Sequence, residues 1–404
     1  MTKRERVENI LGFKYDYRYN EIDGTIQYKP NNQEKYRNHT DYDMNSIIRK
    51  IDKEGESISE SMYCSIIKSD FTPKYHPIRW YFNEFLPEEY PDNKQGLIEA
   101  LAKTVKVPNP SELFISLKRW LVASVANGLT PKGCQNHTCL VLTGGMGTFK
   151  TTWLANLCPP PLFPDMIMTG KIDLNLTNKD TFVMPAIKFI INLDDQLRNL
   201  MKRDGETMKT LITHPEISVR RPFSKFHETL PRIGNFIASI NGDEFLGENE
   251  NRRFLPFRIK NCDMEAARKI DMNEVWKEAF DLWKEGYKYH WDKEELEQAF
   301  PDMHSFAYAT DELEALTTYF EIVEDRKNAN VTMNATDITG YFKSRLGMVL
   351  SARKIGEALK TLGAIQTSVR VGKVTVKKYL LNQLDLTAPA AVANPMNPKK
   401  DLPF

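Results

Sequence analysis

Between Leu142 and Thr152 the chain reads LTGGMGTFKTT, a glycine-rich stretch that ends in one lysine and two threonines. Loops that hold phosphate follow the pattern G-x-x-x-x-G-K-[ST], in which glycines let backbone N–H groups close on the anion and lysine adds a point charge. Gly144, Lys150 and Thr151 stand in their places, and Phe149 stands where the second glycine belongs. Gly144, Gly145, Met146, Gly147, Thr148, Phe149, Lys150, Thr151 and Thr152 therefore form a candidate nucleotide loop with one unusual residue. Phe149 is harmless there if it already has helical dihedrals, with its N–H able to donate and its ring turned into the flanking helix. The bland alternative is a glycine-rich turn ahead of a helix.

Three further groups follow in order. Asp194 and Asp195 end the apolar run FIINLDD, where a nucleotide hydrolase needs carboxylates to hold Mg2+ and polarise water. Asn241 ends another apolar run, FIASIN, and its amide suits the attacking water. Arg252 and Arg253 come next, in ENRRFLPF. An arginine there could reach the γ-phosphate held by a neighbouring subunit and stabilise developing charge. The four features together signal more than any one does.

These residues need elements to hold them. TCLVLTG reads as a strand, TTWLANL as a helix, AIKFIINLDD as a second strand and MKTLITHP as a helix. GNFIASIN and RRFLPFRI read as a third and a fourth strand. That alternation predicts an α/β core with a parallel sheet flanked by helices. Upstream, SELFISLKRWLVASVANGL is an amphipathic helix, with Ser111 as its expected cap and Gly128 at its end. MNSIIRKIDKEGESISESMYCSIIKSD predicts two short helices. Downstream, NATDITGYFKSRLG and SARKIGEALKTLGA are helices ahead of two strands, QTSVRV and VTVKKYLL, the outline of a winged helix-turn-helix. From residue 331 to 384 nine Lys and Arg face two acids, in a chain whose net charge is +1. A DNA partner is the expected reason, with Arg353, Lys354 and Lys373 as contacts.

At 404 residues, 41% hydrophobic and 27% charged, the chain predicts two or three globular domains. No apolar run approaches the ~18 residues of a membrane span, and the first 20 residues lack a signal-peptide core, so no membrane is expected and the compartment is cytoplasmic. Five scattered cysteines read as reduced thiols. Cys134, His137 and Cys139 are one ligand short of a zinc site.

The run GGMGTFKTTW, then INLDDQ, LITHPEISVRRPF, LPRIGNFIASING and NRRFLPFRI resembles the virulence-associated protein E family. Members are AAA+ ATPases related to superfamily 3 helicases and to phage-type primase-helicases. The resemblance spans residues 70 to 290. It implies a P-loop AAA+ core with ATP and Mg2+ as cofactors, Lys150 on the β- and γ-phosphates, and Thr151 and Asp194 on the metal. Asp195 stands where many ATPases place the glutamate that activates water, Asn241 matches the sensor, and Arg253 is the better arginine finger, ahead of Arg252. It implies a homo-oligomeric ring, expected to be a hexamer, acting in replication of a phage or mobile element. A hairpin in ISVRRPFSKFHETLPR would grip single-stranded DNA through Lys225, Phe226 and His227. No primase-like metal cluster is visible in the first 100 residues, so a separate primase is a possible partner.

The expected division is 1–105 mainly helical and accessory, 106–265 ATPase core, 266–330 helical lid, 331–385 winged helix and 386–404 disordered tail. The expected activity is ATP-driven unwinding of, or movement along, DNA. Two rivals stay open: an initiator or regulator that uses nucleotide as an assembly switch, and an effector in phage conflict.

Overall fold

The computed structural model describes all residues except 91–95, 132–134, 170–178, 220–225, 247–251, 302, 308–309, 324, 372–373 and 385–404. Two compact units emerge: residues 1–246 with 250–306, and residues 247–249 with 307–404.

The first unit opens on a small sheet. β1 (Tyr15–Asn20) pairs antiparallel with β2 (Ile26–Pro30), and β3 (Arg37–Asn38) and β4 (Lys74–Tyr75) complete the order β3-β2-β1-β4. Val7, Leu11, Tyr17, Ile47, Tyr63 and Ile66 pack beneath it. The two short helices expected here are Asp41–Asp52 and Glu60–Ile67. The first begins at a capping box between Thr40 and Asp43, which satisfies two N–H groups of its first turn. The sheet itself escaped the sequence reading of a mainly helical region. Its tyrosines alternate with Asp, Arg and Asn, so aliphatic periodicity gave no strand signal.

The central sheet contains β6 (Cys139–Gly144), β7 (Ile167–Met168), β8 (Ile190–Asn192), β11 (Asn235–Asn241) and β12 (Phe254–Arg258) in the order β12-β6-β11-β8-β7. Every neighbouring pair is parallel. Helices cover both faces, and so both sets of alternate residues are apolar. Leu140, Leu142, Ile190, Ile237 and Leu255 share one core with the helices Pro110–Leu129 and Met272–Lys284. Cys139, Val141, Ile191, Phe236 and Ala238 face the helix Leu197–Thr213. Three buried tryptophans find acceptors: Trp120 donates to the Phe236 carbonyl, Trp276 to the Leu157 carbonyl and Trp153 to the Thr104 hydroxyl. A short ladder between β5 (Val105–Lys106) and β13 (Asn261–Cys262) closes the chain beyond β12.

Local expectations change in three places. The long helix starts one residue before Ser111, at Pro110, with Asn109 at its cap. Proline suits that first position because its missing N–H would be unpaired there anyway. Gly128 does not end the helix. It is buried inside it, and a Cβ there would lie 2.8 Å from the Ile78 side chain. The second expected strand is also shorter, because Ala186 and Ile187 finish the helix Lys179–Ile187 and only Ile190–Asn192 pair. β9 (Glu216–Val219) and β10 (Glu228–Pro231) form the expected hairpin, with Glu228 opposite Val219.

The second unit holds β14 (Phe320–Ile322), β15 (Val331–Met333), the helices Ala335–Leu346 and Ala352–Thr361, β16 (Gln366–Val371) and β17 (Val374–Gln383). β17 pairs antiparallel with each of the other three strands. Ile338, Phe342, Ile355 and Leu359 of the two helices bury against Tyr379 and Leu381. Among the described residues no helix is long and apolar enough to cross a membrane.

Candidate active site

The glycine loop leaves the carboxyl end of β6 and enters the helix Lys150–Ala155. Gly144 is extended into the positive-φ region at 142°, and a Cβ there would sit 2.7 Å from the Ile259 carbonyl oxygen. The backbone after β12 closes on the loop, since Ile259 N–H donates to the Thr143 carbonyl at 2.9 Å. Gly144→Ala should therefore cost about 2 kcal/mol of stability, visible as a lowered Tm, and weaken phosphate binding.

Phe149 departs from expectation. It is not helical but left-handed, with φ 61° and ψ 20°, and it caps the helix. Its ring does not pack into the flanking helix; it is 55% exposed. Phe149 thus adopts the conformation that glycine would take without steric cost. Phe149→Gly should keep nucleotide binding and raise stability by about 1 kcal/mol, read from thermal or denaturant unfolding.

Lys150 is 5% exposed and its ammonium contacts neutral oxygens. It donates to the carbonyls of Gly144 and Gly145 at 3.1 and 2.6 Å, to the Thr148 hydroxyl at 3.2 Å and to Asn241 Oδ1 at 3.3 Å. Burial pulls its pKa below the usual lysine value, and nearby Asp195 partly offsets this. Such a cation gains from an incoming anion.

Two strand ends meet this loop. Asp194 stands in the turn two residues beyond β8, where its carboxylate meets the helix that carries Thr151. Thr151 Oγ1 donates to Asp194 Oδ1 at 2.6 Å. Ser239, on β11, donates to the same carboxylate oxygen and lies 3.0 Å from the Thr151 hydroxyl. Asp195 turns the other way, through a left-handed φ of 51°, and accepts from Asn241 Nδ2 at 2.8 Å. Asn241 thereby bridges Lys150 and Asp195. Ser239 was missed from the sequence, although it lies two residues before Asn241 and so on the same face of the strand.

The arginines lie elsewhere. The Arg253 carbonyl accepts from Cys139 N–H at 2.7 Å, at the amino end of β6. Gly144 lies five residues further along that strand, about 17 Å away at ~3.3 Å per residue. Neither Arg253 nor Arg252 makes a side-chain hydrogen bond or ion pair among the described residues, and Arg252 is exposed. At the carboxyl end of β12, near the loop, stands Arg258, which sequence reasoning passed over. It donates to Asp243 at 2.9 Å, and Asp243 accepts from Thr143 at 2.9 Å.

The family model for the virulence-associated protein E-like domain matches residues 86–308, and this span holds every residue just described. The chain belongs to the virulence-associated protein E-like family. The chain is also similar to solved structures described as the apo structure and the A form apo structure of the NrS-1 C-terminal region. Both are 15% identical, covering 93% of this chain and 98% of theirs, with TM-scores of 0.47 and 0.46. No curated protein matches the chain.

Within the VapE-like domain, Phe226 and His227 are exposed just before β10, whereas Lys225 lies outside the described residues. Cys139 is fully buried in β6, and Cys134 lies outside the described residues. In the second unit Arg353 pairs with Glu357 at 3.1 Å and Lys354 approaches Glu312 at 4.0 Å. Lys378 is engaged by Asp337 at 2.8 Å, while Lys343, Arg345, Lys360, Arg370 and Lys377 have no carboxylate within reach among the described residues. Lys373 and the expected tail lie outside the described residues.

Proposed function

We propose that the chain is an ATPase of the AAA+ superfamily 3 type, with a P-loop core, which moves along or unwinds DNA during replication of a phage or mobile element. The observation that carries this reading is the convergence on one glycine loop of two strand ends, Asp194–Asp195 and Ser239–Asn241, with Lys150 and Thr151 between them. Lys150 binds the β- and γ-phosphates of ATP. The hydroxyl–carboxylate cluster of Thr151 and Asp194 offers the hard oxygen ligands that suit Mg2+, which would neutralise phosphate charge when bound. Asp195 polarises the attacking water and Asn241 holds it. The water oxygen bonds to the γ-phosphorus as the bond to the bridging oxygen breaks, and ADP leaves.

Arg253, too far from its own loop, acts on the nucleotide of the next copy in a ring, expected to be a hexamer. The ATPase core occupies 106–265, and the helices and hairpin of 331–385 act as a winged helix on duplex DNA. The β9–β10 hairpin, with Phe226 and His227, contacts single strands. The deciding measurement is ATP turnover by purified protein with and without single-stranded DNA. Strong stimulation supports a motor, and nucleotide binding without turnover would replace it with the assembly-switch reading, which the strained Phe149 and the short Asp195 favour.

The winged-helix reading has its own test. Arg353→Ala with Lys354→Ala should weaken duplex binding and lower the slope of log affinity against log salt by about one unit for each phosphate no longer neutralised. An unchanged slope would leave those side chains as a solvated face, and Lys360, Arg370 and Lys377 would bind the phosphates instead.

A further inference from the structure

At the amino ends of β6 and β12, on the far side of the sheet from the glycine loop, lies a cavity of 410 Å³. His137, Arg252, Arg253, Tyr289, His290 and Trp291 line it, and no carboxylate does among the described residues. Glu295 holds Arg119 through two bonds of 2.8 and 3.0 Å and accepts from Lys288 at 2.9 Å. Glu206 acts on Arg253 as an opposing charge from outside the cavity lining. Behind the wall, fully buried Arg232 donates to the Asn136 carbonyl and adds a further positive charge.

This concentration of like charge is unfavourable as it stands. Burial, then Arg232, His290 and the two arginines push His137 below its ordinary pKa, and burial, then Arg252, lowers Arg253. The Arg253 Nε and Trp291 Nε1 atoms are buried without an acceptor. A partly buried guanidinium beside the exposed Arg252, His137 and His290, together with buried N–H donors that lack an acceptor, are the features of a site completed by an anion. The planar guanidinium forks and ring N–H groups match phosphate oxygens in particular.

We infer that this cavity is a phosphate site whose ligands extend beyond Arg253 to Arg252, His137 and His290, and that it receives the terminal phosphate of a nucleotide bound by a second copy of the chain. The second half of that statement rests on the reading of Arg253 given above. The chain's own nucleotide is excluded by the ~17 Å run of β6 between cavity and loop.

The test uses the full chain with Lys150→Ala, which removes the lysine of the chain's own loop, and titrates inorganic tripolyphosphate by calorimetry. A residual site is expected, weakened about tenfold or more by His137→Gln with His290→Gln. With the loop intact, the same histidine pair should lower ATP turnover about tenfold or more while nucleotide binding and Tm stay close to native. Absence of a residual tripolyphosphate site, or one indifferent to both histidines, would overturn the anion site. A residual site lost with the histidines beside native turnover would leave a pocket for free phosphate and overturn the second-copy occupant. Failure of Arg253→Ala to complement Lys150→Ala in mixed assemblies would sink the Arg253 reading, and with it that occupant, while calorimetry still decides the site.

Discussion

Arg253→Ala should bind ATP with near-native affinity and hydrolyse it on the order of 10³-fold more slowly. Arg253 stands just before an edge strand, its backbone held by the bond from Cys139 N–H to its carbonyl. It is remote from its own Lys150 and has no side-chain partner among the described residues. An arginine that meets phosphate only across an interface contributes little to ground-state binding within one chain and much to the charge that develops during transfer. Mixing Arg253→Ala with Lys150→Ala protein should therefore restore part of the activity, since at shared interfaces each variant supplies what the other lacks. Mixed assemblies that form on native gels yet stay inactive would show that Arg253 does not act in trans, and Arg252 would be the next residue to replace.

Lys150→Ala should lower turnover at least about 10³-fold and also weaken ATP binding, because the ammonium is the one buried cation in the loop and touches both the glycine carbonyls and Asn241. Its removal should not unfold the protein. Burial holds the folded-state pKa of Lys150 below its unfolded value, so the charged form is disfavoured by folding at neutral pH and contributes no stability through its charge. A Tm within a few degrees of native, with turnover gone, separates lost chemistry from lost structure. Turnover at the native rate would remove the loop from the mechanism.

The central sheet was legible because β6, β8, β11 and β12 are apolar runs that end in chemistry-bearing residues. Burial on both faces leaves that signature whatever the surroundings. The candidate site was legible for the same reason: Lys150, Asp194, Asp195 and Asn241 all sit at carboxyl ends of parallel strands. Backbone conformation was not legible. Nothing in the order T-F-K tells that Phe149 is left-handed, because the dihedral is imposed by the loop's path between β6 and the next helix. The N-terminal strands were hidden by their polar partners, and Arg258 by lying at the end of a strand already spent on Arg253. Register brought Ser239 to Asp194, and register is a property of pairs of segments, not of either alone.

The second unit's sheet has a temporal consequence. β14, β15 and β16 each find their partner in β17, and that partner is translated after all three. During synthesis the earlier strands wait with open edges, while the five strands of the first unit's parallel sheet are complete by Arg258. A chain that ended just before Val374 would still contain that parallel sheet, but would leave three strands of the second unit without the strand that joins them, exposed to pairing with other chains.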